Sequence, residues 1–422
     1  MTNKSSIRES GLVSIIIPNY NHAHYVAEAI NSVLAQGYDR YEIIVVDDGS
    51  TDNSREVIGH FTDKVQYIHK KNAGLSAARN TGIRQAKGEF IGVLDADDMV
   101  EPDFMSTLVP ILQANQDAEA VYCGYQFVDE SNRSLPQREA RLIPEGQIFQ
   151  ALVDGNFLVP ESILVRKRCY DSVGLFDESF RACEDVDMWL RITKQYKVLG
   201  VTNLLTRHRV LPNSMSADPT RQTQNRLAMI QKHFGPKPSV DFEWTDPQRR
   251  AYGQAYLASA VEYLQARKTD RAYDSFREMA FACPDLLTRL NTFYELGCGE
   301  QPKGYRGDFE SLNMESNSRM LVGFLDRFFR ESHEMDAIQK HRRAAYSQTY
   351  FALGLLNYGS SHLRDTRKCL VLALKYDLAL FFNRRLMTTF IKSFVSTKII
   401  RWYRGNRPFT ANRHPAFPVQ DR

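Results

Sequence analysis

Phe90-Ile91-Gly92-Val93-Leu94 is an uncharged apolar run that stops at Asp95-Ala96-Asp97-Asp98. A short apolar stretch cut off by polar residues reads as a strand buried on both faces. Residues 13–17, closed by Pro18, read the same way. So do residues 42–46, which run into Asp47, Asp48 and Gly49, and residues 65–69 read as a further strand. Between them, residues 24–35 place Val26, Ile30, Val33 and Leu34 at helical spacing before Gly37. Residues 54–61 and 75–86 read as further helices, the second stopped by Gly88. Strands alternating with helices in this way imply βαβ units. The expected fold is α/β, a mainly parallel sheet flanked by helices. Ligands of such sheets sit at the carboxyl ends of the strands. The polar clusters after Ile17, Val46 and Leu94 all fall there.

Farther along, residues 103–114 predict a helix, 120–125 a strand, 130–147 a loop and 162–166 a short strand. Residues 184–195 predict a helix with Val186, Trp189, Leu190 and Ile192 apolar. From about residue 220, glycine becomes scarce and helical spacing takes over. Residues 251–283, split near Lys268-Thr269-Asp270, and 350–380, split near Gly359-Ser360-Ser361, predict two helix pairs. Each is the size of a tetratricopeptide unit, although most signature residues of that repeat are missing. The expected organisation is a catalytic domain over 1–220, an all-α helix-pair domain over 221–380 and a basic amphipathic tail over 381–422.

The net charge of +4 is a local feature. Residues 381–422 hold nine Lys/Arg and one acid, and the rest of the chain is slightly acidic. A nucleic-acid-binding body is therefore not expected. In the tail, Leu386, Phe390 and Phe394 recur every four positions among Arg384, Arg385, Lys392, Lys398, Arg401 and Arg404, with Trp402-Tyr403 near the end. That pattern over 381–409 suits an anionic membrane surface, against the plainer reading that the apolar stripe packs on the helical domain. The six cysteines are scattered with no CxxC pair, as expected of reduced thiols. No run of 18 uncharged apolar residues exists, and the first residues lack a secretory pattern. A cytoplasmic protein, peripheral at the membrane through its tail, is the expectation.

The chemistry-bearing residues gather at the strand ends. Three carboxylates in Asp95-Ala96-Asp97-Asp98 repel one another unless solvent or a cation relieves them, and hard divalent cations bind carboxylates together with substrate phosphates. Asp47-Asp48-Gly49-Ser50-Thr51-Asp52 delivers two more carboxylates to the same edge, with a helix cap as the bland alternative. Tyr20, in Pro18-Asn19-Tyr20-Asn21, can stack on a flat base. Asn72-Ala73-Gly74 opens a helix whose N-terminus suits phosphate, and Arg79 can add a forked contact. Glu184 and Asp185 open a helix where the dipole favours carboxylates in any case. Functionally, such a carboxylate is a general base.

Taken together, SIIIPNYNHAHYVAEAINSVLAQGY (14–38), EIIVVDDGSTDNS (42–54), NAGLSAARNTGI (72–83) and GEFIGVLDADDMVEPDFM (88–105) resemble a family 2 glycosyltransferase, inverting and of the GT-A fold. GLFDESF (174–180) and CEDVDMWLRI (183–192) continue the likeness. The resemblance implies that Pro18 and Tyr20 cover the nucleoside base, that Asp48, with Asp47 beside it, contacts a uracil ring, and that Asn72 and Arg79 help hold the donor. It implies that Asp95 faces the ribose or donor sugar, that Asp97 holds Mn²⁺ or Mg²⁺ through the diphosphate, and that Asp185, paired with Glu184, is the base. Family members often show Tyr-Arg-x-His before a Pro-Asn-Ser-type turn. Here Arg209 matches the arginine but Leu211 stands where the histidine would, so an acceptor or diphosphate contact falls to Arg209 or His208.

The implied activity is transfer of a sugar from a nucleoside-diphosphate donor, UDP by the match at Asp48, to a saccharide or lipid-linked acceptor in cell-surface glycan synthesis. The rival reading is a non-catalytic nucleotide-sugar-binding protein that docks partners through its helices. The complete set of carboxylates favours catalysis. A nucleotidyltransferase would want a Gly-rich phosphate loop after the first strand, and PNYNHAHY offers none.

Overall fold

The computed structural model describes residues 9–212, 214–238 and 244–394. It divides into two compact units, Met1–Met229 and Ile230–Arg422.

The first unit is built on one sheet. Its strands are β1 (Glu9–Asn19), β2 (Tyr41–Asp47), β3 (Gln66–His69), β4 (Gly88–Val93), β5 (Met99–Val100), β6 (Ala118–Val128), β7 (Ser134–Glu139), β8 (Ile163–Arg166) and β9 (Lys197–Arg209). Their order is β3-β2-β1-β4-β8-β6-β9-β5, with β7 on β6. β1 lies at the centre of the first half, parallel to both β2 and β4. That position explains its run of fully buried Ile15, Ile16 and Ile17, each contributing about 1.5–3 kcal/mol of burial. The helix Leu75–Gln85 packs on this half through Gly82, where an added Cβ would sit 2.3 Å from Ile16 Cγ2. Only a missing side chain allows so close an approach.

The sheet is mixed rather than uniformly parallel. β8 runs antiparallel to β4 and β6, and β5 and β7 are antiparallel additions, while β9 returns parallel to β6. The alternation that predicts parallel strands covers only the first ninety or so residues; beyond it β7 turns back on β6 through a short connection, while β5, β8 and β9 find partners distant in the chain. The expected 130–147 loop contains β7. The thirteen-residue β9, which sequence periodicity does not reveal, supplies the far wall of the site.

The second unit is helical. The helix pairs Asp246–Gln265 with Thr269–Ala282 and Arg342–Gly359 with Leu363–Tyr376 divide where the spacing splits them, although the first helix of each begins ahead of the expected 251 and 350. Thr245 and Gln248 form a reciprocal capping box on the first helix, satisfying otherwise unpaired backbone groups. Phe276, Phe324 and Phe328 pack ring against ring inside this unit. No helix among the described residues is long and apolar enough to cross a membrane.

The amphipathic tail begins as the helix Arg384–Lys392; its continuation over 395–409 lies outside the described residues. The expected stripe divides. Leu386 is fully buried, as the packing alternative holds, Phe390 is half-buried, and Phe394 is exposed.

Candidate active site

The first two motifs are laced to each other. Ser50 Oγ accepts from Asn19 Nδ2 and from the Asn21 backbone, Asn21 Oδ1 accepts from the Thr51 backbone at 2.7 Å, and Asp52 accepts from the Ala23 backbone. Asn21 takes a left-handed backbone, φ 56°, which asparagine tolerates better than most residues. These bonds fix the end of β1, at Pro18 and Asn19, and leave Tyr20 exposed just beyond it.

Asp47 and Asp48 are buried and already engaged. Asp47 accepts from Ser50 N, Tyr67 Oη and His69 Nδ1, and these hydrogen bonds hold its carboxyl below the usual range although burial alone pushes it up. Asp48 accepts from the backbone N–H groups of Ala73 and Gly74 and from Lys70 Nζ at 2.6 Å. It therefore latches the 70–74 loop, including the exposed Asn72, to the end of β2. Both oxygens of the carboxylate expected to read the base are committed to shaping the loop.

Arg79 is the hub. It is buried on the helix Leu75–Gln85, and its Nη2 donates to both oxygens of Asp95, at 2.7 and 3.0 Å, while Nη1 donates to Glu184 at 2.7 Å. Burial works against its charge, and the two carboxylates outweigh burial and hold the proton on. The guanidinium lies over the Phe176 ring at 5.4 Å. Phe176 is pinned in turn by Asn80, which bonds both its N–H and its carbonyl. The residue expected to help hold the donor is thus a buried brace between the strand-end turn and Glu184, the residue before Asp185.

Glu184 and Asp185 open the helix Glu184–Gln195, anchored by buried Met188, Trp189, Leu190 and Ile192. Cys183, just before it, adopts φ 61°, an uncommon conformation for a residue with a Cβ and one that collects at functional sites. Burial first, then the Glu184 charge, push the Asp185 carboxyl up to about 7, with Arg79 opposing. That is the range suited to a general base at neutral pH.

At the end of β4, Asp97 differs from its neighbours. Asp95 is held by Arg79, and Asp98 accepts from the Arg209 backbone and His208. The Asp97 carboxylate makes no hydrogen bond or ion pair among the described residues. Burial, Asp98 and Asp95 push it up to about 6. A partnerless carboxylate beside two others is a donor that a hard divalent cation satisfies, so the residues present fit a metal at Asp97.

Arg209 is buried and tied into the fold. Its Nε donates to Asp97 O, Nη1 to Glu130 O and Nη2 to Glu28, and the guanidinium stacks on Tyr25 at 4.6 Å. It braces the carboxylate turn, with all three guanidinium nitrogens engaged within the fold. His208 is not a surface histidine: it inserts between Asp98 and Glu161 and meets the rings of Tyr125 and Phe127 edge-on. Glu161, which is almost completely buried, has no counterpart in the sequence reading. Its one signal was a charge in Pro160-Glu161-Ser162 leading into an apolar strand.

Residues 14–174 match the family described as Glycosyl transferase family 2. The chain is 38% identical over 229 residues to an uncharacterized glycosyltransferase of Rickettsia typhi (strain ATCC VR-144 / Wilmington), covering 52% of this chain and 69% of that protein. It is 32% identical over 238 residues to the uncharacterized glycosyltransferase EpsJ of Bacillus subtilis (strain 168), covering 54% and 68%. The crystal structure of S. aureus TarS 1-349 aligns with a TM-score of 0.49 at 16% identity, over 80% of this chain and 90% of that one.

Proposed function

The chain belongs to glycosyl transferase family 2, and on that premise we propose that it is an inverting, metal-dependent glycosyltransferase using a nucleoside-diphosphate sugar, with UDP the carrier that the sequence resemblance implies. The observation that supports this most is the Asp95–Arg79–Glu184 bridge. It ties the strand-end turn that would face the donor to the helix that presents Asp185.

In this reading Asp185 takes the proton of an acceptor hydroxyl as that oxygen bonds to the anomeric carbon. The bond from that carbon to the diphosphate breaks, the diphosphate leaves, and configuration inverts. Arg79 keeps Asp95 and Glu184 in register so that the base meets the sugar from the side opposite the leaving group. A divalent cation held by Asp97 supplies positive charge to the departing diphosphate when bound. The acceptor is a saccharide or lipid-linked saccharide. An anionic membrane surface is the second partner, because six of the ten exposed large apolar side chains among the described residues lie between Val371 and Phe394 beside Lys375, Arg384 and Lys392.

The test is a panel of nucleoside-diphosphate sugars with the purified protein, Mn²⁺ and no acceptor, scored for slow donor hydrolysis. Turnover of one donor that chelator abolishes and Mn²⁺ restores supports the reading. Hydrolysis of none of them, or a rate indifferent to chelator, removes metal-dependent transfer.

A further inference from the structure

Behind the Asp95–Asp98 turn, three side chains converge from separate parts of the fold. Asp98 follows β4, Glu161 sits in the one-turn helix Pro160–Ser162 before β8, and His208 is near the end of β9. His208 Nδ1 lies 2.9 Å from Glu161 Oε1 and 3.1 Å from Asp98 Oδ2. A ring nitrogen carries at most one hydrogen, so Nδ1 cannot give each carboxylate a full hydrogen bond. The other Asp98 oxygen accepts the Arg209 backbone N–H at 2.6 Å. Glu161 Oε2 is buried with no hydrogen-bond partner among the described residues, in a residue only 1% exposed. No Lys or Arg side chain pairs with either carboxylate among the described residues, and the adjacent Arg209 guanidinium is committed elsewhere. Buried carboxylates are ordinarily paired or bound to a metal.

We infer that Asp98, Glu161 and His208 form a second cation site, suited to Zn²⁺ and separate from Asp97. One imidazole nitrogen and two carboxylate oxygens are a donor set that zinc takes, with a water in the fourth position. One donor atom from each residue lies within 4.8 Å of the other two. A tetrahedral ion about 2.1 Å from each ligand separates its ligands by about 3.4 Å, so the observed 2.9 and 3.1 Å need to open by only a few tenths of an ångström. The ion supplies the partner Glu161 Oε2 lacks, directly or through its water. It ties the carboxylate turn to β9 and to the turn before β8, on the buried side of that turn, and it requires no nucleotide. The inference rests on donor geometry and is independent of the proposed reaction.

The experiment uses the full chain stripped of metal, loaded with Zn²⁺ alone, dialysed and assayed for metal content, with Co²⁺ absorption as a report of tetrahedral N/O ligation. Wild type and Asp97→Asn are expected to retain one equivalent. Loss of even an outer-shell partner weakens metal binding by about 10–100-fold, so Glu161→Gln and His208→Asn are expected to weaken it at least that much. Melting curves of the metal-free proteins show whether each variant folds, and the wild-type measurements decide even where one does not. Absence of retained Zn²⁺ in wild type overturns the inference and leaves a hydrogen-bonded triad. Equal retention in folded Glu161→Gln and His208→Asn, or loss through Asp97→Asn alone, overturns it as well.

Discussion

Arg79 Nη1 donates to Glu184 Oε1 at 2.7 Å, joining residues 105 positions apart in the chain. With Nη2 on Asp95, one guanidinium spans both sides of the candidate site. A lysine keeps the charge but has no fork, so it can hold one carboxylate well but not both. Arg79→Lys is expected to lower kcat/KM by about 10², the size of effect an ångström of misplacement produces, with donor turnover as the assay. Arg79→Met leaves both carboxylates without a cation and should destabilise the fold by about 3–5 kcal/mol, read from denaturant midpoints. Wild-type kinetics in Arg79→Lys would show that a single tether suffices.

Asp185 carries the pH dependence. A base must be ionised to act, and burial and Glu184 push its carboxyl up to about 7. Activity should therefore climb as pH rises through about 7 and then level off. Glu184→Gln removes the like charge, so the rising limb should move to lower pH; an unmoved limb would exclude Glu184 as a cause. Asp185→Asn should cut turnover by about 10² to 10⁴ with donor affinity largely kept. Because the folded carboxyl lies above its ordinary value, the fold binds that proton more tightly than the unfolded chain does. The resulting stability is full below the unfolded value near 4 and lost as pH rises through about 7. Asp185→Asn should thus gain stability relative to wild type between pH 5 and pH 8, a trend that melting curves would reveal.

Gly49 sits at φ 79°, and an added Cβ would lie 2.9 Å from Asn72 N. The turn leaving β2 is pressed against the loop that Asp48 latches. Gly49→Ala incurs the left-handed penalty of about 1–2 kcal/mol and must also push the 70–72 backbone away. Lower melting temperature with weaker donor binding is expected. An unchanged melting temperature would mean that the turn relaxes freely.

The strands β1, β2 and β4 were legible because burial on both faces demands unbroken apolar runs, and the helices between them because their apolar spacing is regular; β3, QYIH at the sheet edge, has exposed ends. β9 was not. Thr202, Asn203, Thr206, Arg207, His208 and Arg209 interrupt its apolar residues, and tertiary pairing with β6 overrides that weak local signal. Among the site residues, sequence separates Asp95, Asp97 and Asp98 by order alone. Their differing surroundings come from partners distant in the chain: Arg79 for Asp95, His208 and Glu161 around Asp98, and, among the described residues, none for the Asp97 carboxylate. Arg209 is readable as an arginine near the site, but its commitment to Glu28, Glu130 and Asp97 backbone depends on the fold.

The last described segment bears on location. Phe382 is 85% exposed, with Leu378, Phe381, Ile391 and Phe394 also open to solvent. Buried Leu386 fastens the helix Arg384–Lys392 to its unit, so the exposed set differs from the stripe that periodicity selects. Arg384 and Lys392 flank it, and Lys398, Arg401 and Arg404 follow in sequence. Large apolar side chains can enter the interface of a bilayer, and each basic residue near an anionic surface adds about 1 kcal/mol. The full chain should therefore pellet with phosphatidylglycerol vesicles at low salt, less at high salt, and poorly with phosphatidylcholine. The double variant Phe382→Asp, Ile391→Asp removes two apolar contacts and adds two charges the lipid repels. It should stay in the supernatant while hydrolysing soluble donor at the wild-type rate. Equal pelleting of the two proteins would show that this face does not meet the membrane. Loss of donor hydrolysis in the double variant would show that these side chains support the fold instead.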